Sequence, residues 1–245
     1  MSFTIDALLL AAALAAGTIN SIVGSGSMIT FFALVSVGYS PVSANMVNAV
    51  GLWPGAVSGT VGYRRELPDR LAIRVLVLAA LVGALCGGAL LLTVPREWVK
   101  VAVPILVAVA TILIAVQPRL SQLRRRPSSR LVLICGVFAA GLYGGFFLSG
   151  IGVVFLAVLG LLLPAGVQAV NATKMVLASV VNIVTAVLFA ATAEVSWSAA
   201  ALIAIGGIVG GLTGARLARA LPEALLRGIV VAIGTITVGA LIAMA

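Results

Sequence analysis

The sequence predicts an all-α integral membrane protein made of two inverted repeats of four elements, the first element of each being a broken helical hairpin. Three observations lead there. Of 245 residues, 62% are hydrophobic and 9% charged, with a mean hydropathy of +1.28, which leaves too little polar surface to coat a soluble globule. Apolar segments follow one another with only short polar joints, and two of them are too long for a single crossing. The second half of the chain then repeats the landmarks of the first.

The apolar segments fall at about 3–38, 43–63, 71–94, 98–117, 131–163, 167–192, 195–216 and 223–245. Six of them are near the roughly 20 residues that span a ~30 Å hydrocarbon core as a helix. The first and fifth are not. At about 1.5 Å per residue they would form rods of roughly 54 and 50 Å, beyond what tilting accommodates. Each is expected to fold back as a pair of helices. The turn points are Gly24-Ser25-Gly26-Ser27 in the first and Ser149-Gly150-Ile151-Gly152 in the fifth, because glycine lets the backbone turn at small steric cost. The N-terminal run carries no basic residue before it and holds Asp6 where a signal peptide wants positive charge, so it reads as a retained first segment.

The later elements carry their own signatures. Pro41 to Asn48 lines up with Pro164 to Asn171 at a constant offset, and Ser25-Gly26 matches Ser149-Gly150 with a one-residue slip. Pro95, Glu97 and Lys100 open the fourth segment as Pro222, Glu223 and Arg227 open the eighth, with proline and acid in the first helical turn. Gly83 and Gly87 in the third segment, and Gly206, Gly210 and Gly214 in the seventh, have the four-residue spacing that lets membrane helices approach closely. The chain therefore divides into a first repeat (1–117), a basic cytoplasmic linker (118–130) and a second repeat (131–245).

Charge sets the orientation of the copies. Arginines 64, 65, 70 and 74, then 119, 124, 125, 126 and 130, then 216, 219 and 227 form three clusters, leaving only Arg96, Lys100 and Lys174 of the 15 basic residues elsewhere. If both long segments return to their starting side, all three clusters face the cytoplasm, as the positive-inside rule requires. Each repeat then crosses an odd number of times, the repeats are inverted, and the loop holding Glu194 lies outside. Inverted repeats with solute sites at broken helices are the usual plan of secondary transporters. The net charge of +9 reflects these short loops rather than a nucleic-acid-binding face.

Gly141-Leu-Tyr-Gly-Gly-Phe-Phe through Gly150-Ile-Gly152, followed by Ala169-Val-Asn171-Ala-Thr173-Lys174 and Asn182, resembles the glycine-rich motif and following helix of the sulfite exporter TauE/SafE family. The run from Gly207 to Arg216 is also similar. The chain departs from the family's three consecutive glycines, having Gly152-Val-Val in one half and Ser25-Gly26-Ser27-Met28 in the other. The resemblance implies a multi-pass protein of the bacterial inner membrane that moves sulfur-containing anions such as sulfite or organosulfonates. A carrier or channel for another small anion such as a carboxylate, or a non-transporting membrane partner, are the alternatives, and self-association as a homo-oligomer is left open.

Eight residues are expected to hold the anion. Lys174 is a cation inside an apolar segment, expensive there and by default functional, with a snorkelled lysine as the plain alternative. Ser25, Gly26, Ser149 and Gly150 would supply hydroxyls and freed N–H groups at half-helix starts, where anions are favoured; tight turns are the alternative. Asn48 and Asn171 are repeat-equivalent amides that serve either as donors to the solute or as interhelical glue. Thr173 joins them through the motif, with Asn20, Asn182 and Trp53 as weaker members. No cofactor or metal is expected. The chain has no histidine, Cys86 and Cys135 lie in apolar runs, and Asp6, Glu66, Asp69, Glu97, Glu194 and Glu223 all fall at segment ends or in loops, so neither a catalytic triad nor a carboxylate proton relay can be built.

Overall fold

The structure is a computed structural model that describes residues 3–22, 24–63, 65–67, 70–122 and 129–217, with 228, 231, 232, 235, 236 and 239. Among the described residues every regular element is a helix. The eighth predicted segment, 223–245, and the arginines of the linker at 124–126 lie outside this set.

Both over-long segments are broken where expected. The first divides into α1 (Phe3–Ile22) and α2 (Gly26–Ser36), the fifth into α6 (Arg130–Phe146) and α7 (Ile151–Leu162). At about 1.5 Å per residue, α2 and α7 are rods of roughly 16 and 18 Å, about half a bilayer core. Gly24 and Gly150 turn the two breaks, each at φ +82°, a left-handed conformation that side chains with a Cβ disfavour. Both short helices then fold back on the helix before them. A methyl group on Gly26 would strike the Ala16 carbonyl oxygen, and in the second hairpin Gly144 lies against Ile151 while Gly136 faces Val158 and Leu162, which is antiparallel pairing.

The remaining segments form α3 (Pro41–Gly62), α4 (Arg70–Thr93), α5 (Arg96–Gln122), α8 (Val167–Thr192) and α9 (Trp197–Leu217). Their starts follow from local chemistry. The Ser40 side chain accepts from the Ser43 N–H at 3.1 Å, with Pro41 in the first turn of α3, and Ser129 accepts from Val132 N–H at 3.3 Å to open α6. Pro95 precedes α5 and Glu97 sits in its first turn, as predicted. By length and apolar composition, α1, α4, α5 and α8 can each cross a membrane.

Packing pairs each half with the other. α1 packs along α9 as α6 packs along α4; α3 meets α8 and α9 as α8 meets α3 and α4. The predicted small residues form these seams. Gly83 and Gly87 of α4 press on the backbone of α6 from Phe138 to Phe146, and Gly206 and Gly210 of α9 press on α1 from Leu10 to Thr18. With lipid as apolar as leucine, such close backbone approach supplies dispersion contact that burial from water would supply in a soluble protein. The core between the seams is aromatic and aliphatic, with Phe31, Phe147, Phe155 and Phe189 fully buried. Arg65, Arg74 and Arg130 stay exposed at helix ends.

Candidate functional site

The two breaks meet. Gly152, in the first turn of α7, lies so close to Gly24 that a methyl group on it would strike the Gly24 carbonyl oxygen. Phe31 of α2 stands edge-to-face on Phe147 of the second break, with ring centroids 5.1 Å apart, and Phe147 stands likewise on Tyr143 at 6.2 Å.

Ser27 is the hub of this junction. Its hydroxyl accepts from the Gly150 N–H at 3.0 Å, and its carbonyl accepts from Asn48 Nδ2 at 2.9 Å and from the Ser149 hydroxyl at 3.5 Å. Asn48 Oδ1 in turn accepts from the Thr30 hydroxyl at 2.5 Å. Asn45, one turn before Asn48 on α3, reaches the other break: its Nδ2 donates to Phe146 O at 3.1 Å and its Oδ1 accepts from Leu148 N–H at 3.0 Å. Tyr143 closes the set by donating to Ser149 O at 2.8 Å. One helix of the first half thus carries the amides that hold both breaks, and the carbonyls and N–H groups opened at membrane depth find protein partners, as an apolar surround demands.

The predicted residues separate into two groups. Ser25, Gly26, Asn48, Ser149 and Gly150 come together at the junction. There Asn48 serves as glue between α3 and α2, and the Gly150 N–H is bound to Ser27 rather than open. Ser25 is fully buried at the start of α2, and its hydroxyl has no hydrogen-bond partner among the described residues. The backbone also shifts the internal alignment. Counted from the two positive-φ glycines, Gly24-Ser25-Gly26 matches Gly150-Ile151-Gly152, so Gly26 corresponds to Gly152 and not to Gly150. Sequence reasoning missed this because the Ser-Gly dipeptide occurs in both halves, one on each side of the turn.

The second group lies on α8. Lys174 is fully buried, and its Nζ has no hydrogen-bond partner among the described residues, so it does not snorkel to an interface. Asn171, one turn earlier, aims Nδ2 at the Tyr63 hydroxyl at 3.5 Å, while its buried Oδ1 has no partner among the described residues. Thr173 is buried and donates back to Ala169 O at 2.7 Å within its own helix. Among the weaker members, Asn182 likewise donates to Ala178 O at 2.7 Å, and Trp53 is 40% exposed on the outer face of α3. α8 is anchored to α3 nearby: the Thr60 hydroxyl lies 3.0 Å from Met175 O and 2.7 Å from the Ser179 hydroxyl. No hydrogen bond between described residues joins the α8 group to the junction. Ser27, Thr30, Asn45, Tyr143 and Tyr63 were not singled out by sequence. The three-residue spacing of Asn45 and Asn48 on one helix face was the available signal.

A cavity of about 530 Å³ opens at the N-terminal end of α3, lined by Ser40, Ser43, Met46, Val99 and Glu194 among others. Met46 is the neighbour of Asn45, so the cavity reaches the helix that holds the breaks. Among the described residues there is no cluster of His, Cys, Asp and Glu suited to a metal ion.

Paired helix breaks within an apolar bundle, stitched by amides and bordered by a buried cation, define a membrane transporter. Residues 9–241 match the family described as sulfite exporter TauE/SafE, and the chain belongs to that family. It is similar to the probable membrane transporter protein YfcA of Escherichia coli strain K12, 27% identical over 228 residues that cover 91% of this chain and 84% of the relative. A probable membrane transporter protein ORF9 of Sinorhizobium sp is 27% identical over 90% of this chain and 85% of its own length. A third, a probable membrane transporter protein of Haemophilus influenzae, is 24% identical over 92% and 89%.

Proposed function

We propose that the protein exports small sulfur-containing anions, sulfite or organosulfonates, across the bacterial inner membrane by alternating access, driven by the membrane potential. The observation that carries this reading is Lys174. Its ammonium is fully buried without a hydrogen-bond partner, and no ion pair links described residues around it. Several kcal/mol per ion is the effective cost of burying a charge, and an uncompensated one is the worst case. An anionic solute is the natural counter-charge. The family's name supplies the sulfur oxyanion class.

Ser25, Asn171, Thr173 and Lys174 are the residues that would face the solute, with Gly26, Asn48, Ser149 and Gly150 shaping the breaks beside it. The repeats 1–117 and 131–245, joined by the basic linker 118–130, would be inverted. The exchange of partners between halves, α1 with α9 and α6 with α4, supports a two-fold relation between them. Rocking of one half on the other about the shared junction would then open the site to either side.

The membrane potential is sufficient for this direction. Moving one negative charge out of a negative-inside cell is downhill by about 2.3 kcal/mol per 100 mV, so export of a monoanion needs no coupling ion. The test is flux of labelled sulfite and of a simple sulfonate in proteoliposomes holding only this protein, with an imposed potential. Flux toward the positive side, lost in Lys174→Met, is the expected result. Unchanged flux in that variant, or accumulation against the potential, overturns the reading.

A further inference from the structure

Asn171 and Lys174 stand one turn apart on one face of α8. Each ends in a buried polar atom that no described residue satisfies, and the two atoms have opposite needs. The ammonium can only donate, whereas the amide carbonyl can only accept. The amide orientation is set from the other side, because Nδ2 is aimed at the Tyr63 hydroxyl and a carbonyl is the favoured end to lie beside a cation. A donorless anion would answer Lys174 and press its lone pairs on Asn171 Oδ1.

The first half shows what the carbonyl takes. Asn48 is the repeat-equivalent of Asn171, and its Oδ1 accepts the hydroxyl of Thr30 on α2. Counted from the positive-φ glycines, the place of Thr30 on α7 is held by Leu156, which carries no donor. The protein's own hydroxyl is thus present in one half and replaced by a hydrocarbon in the other.

We propose that the α8 site selects a monoanionic oxyanion that brings its own hydrogen-bond donor, such as hydrogen sulfite or a hydroxyalkyl or aminoalkyl sulfonate, over donorless anions of the same charge. The ligand's oxygens pair with Lys174 Nζ, and its O–H or N–H takes the role at Asn171 Oδ1 that Thr30 plays at Asn48. This inference rests on the reading of Lys174 as the anion's partner.

The experiment compares 2-hydroxyethanesulfonate with ethanesulfonate, which share charge and chain length and differ in one hydroxyl, by binding to the purified full-length protein and by flux in proteoliposomes. The hydroxylated sulfonate is expected to bind about tenfold tighter or better, the cost of leaving a buried acceptor unmet. Asn171→Leu should bring the two within about twofold while binding persists. Leu156→Thr, which restores an internal donor, should do the same and serves as the second variant if Asn171→Leu does not fold. Equal affinities in the unmodified protein overturn the inference and leave the Lys174 reading standing. Failure of the unmodified protein to bind either sulfonate overturns that reading instead.

Discussion

Asn48 and Asn171 occupy the same place in the two halves of the chain and do opposite things. On α3, Asn48 is bonded at both ends of its amide, to the Ser27 carbonyl and from the Thr30 hydroxyl, and the residue one turn on is Gly51, which lies against Ile203 and the Ala200 carbonyl of α9. On α8, Asn171 keeps one end unmet, and the residue one turn on is Lys174, buried and unpaired. The first half spends its polar groups on holding backbone; the second keeps them for something outside the protein. A duplicated helix has in this way divided into a structural copy and a binding copy, which a symmetric reading of the repeats does not anticipate.

The largest effect expected from breaking this contrast is at Lys174. Lys174→Met should remove flux in proteoliposomes and at the same time raise the thermal midpoint of the ligand-free protein, because an unpaired buried cation costs several kcal/mol. Lower stability in that variant would mean the ammonium is holding the fold. Next in size is the point where the breaks touch. Gly152→Ala drives a methyl group into the Gly24 carbonyl and should destabilise by about 1–3 kcal/mol, read as lost expression or a lowered midpoint in detergent.

The sharpest comparison sets the two asparagines side by side. Asn48→Ala leaves the Ser27 carbonyl and the Thr30 hydroxyl with unmet bonds in a dry core and should cost about 1–3 kcal/mol, whereas Asn171→Ala should cost a few tenths and act on binding instead. Equal losses in stability would erase the division between the copies. The smallest effect is at the start of α3, where Ser40→Ala removes the cap to Ser43 and should cost about 1 kcal/mol with flux retained.

Much of this architecture was legible in the sequence for a geometric reason: a segment of thirty or more apolar residues cannot cross once, so 3–38 and 131–163 had to break, and glycine marked where. The helix seams were legible too, since Gly83, Gly87, Gly206 and Gly210 announce close approach by spacing alone. Lys174 stood out because an ammonium in an apolar run has few explanations. What the sequence hid is long-range. Nothing local says that Asn45 reaches Phe146 and Leu148, or that Ser27 receives the Gly150 N–H, because those bonds join residues more than a hundred positions apart. Assigning Gly26 as the partner of Gly150 failed for a related reason. Identity of a dipeptide was taken for identity of backbone conformation, and only φ at Gly24 and Gly150 separates the two.

The contact between Gly24 and Gly152 has one more implication. At that crossing two peptide planes face each other with no side chain between them, so what a passing solute would meet is bare main chain, common to every protein and unreachable by substitution without lengthening the residue itself. Evolution can retune the walls around such a point, as the change from threonine to leucine between α2 and α7 illustrates, but the narrow place itself stays chemically fixed. Divergence among relatives in what they carry should therefore accumulate along the flanking helices and leave the crossing alone.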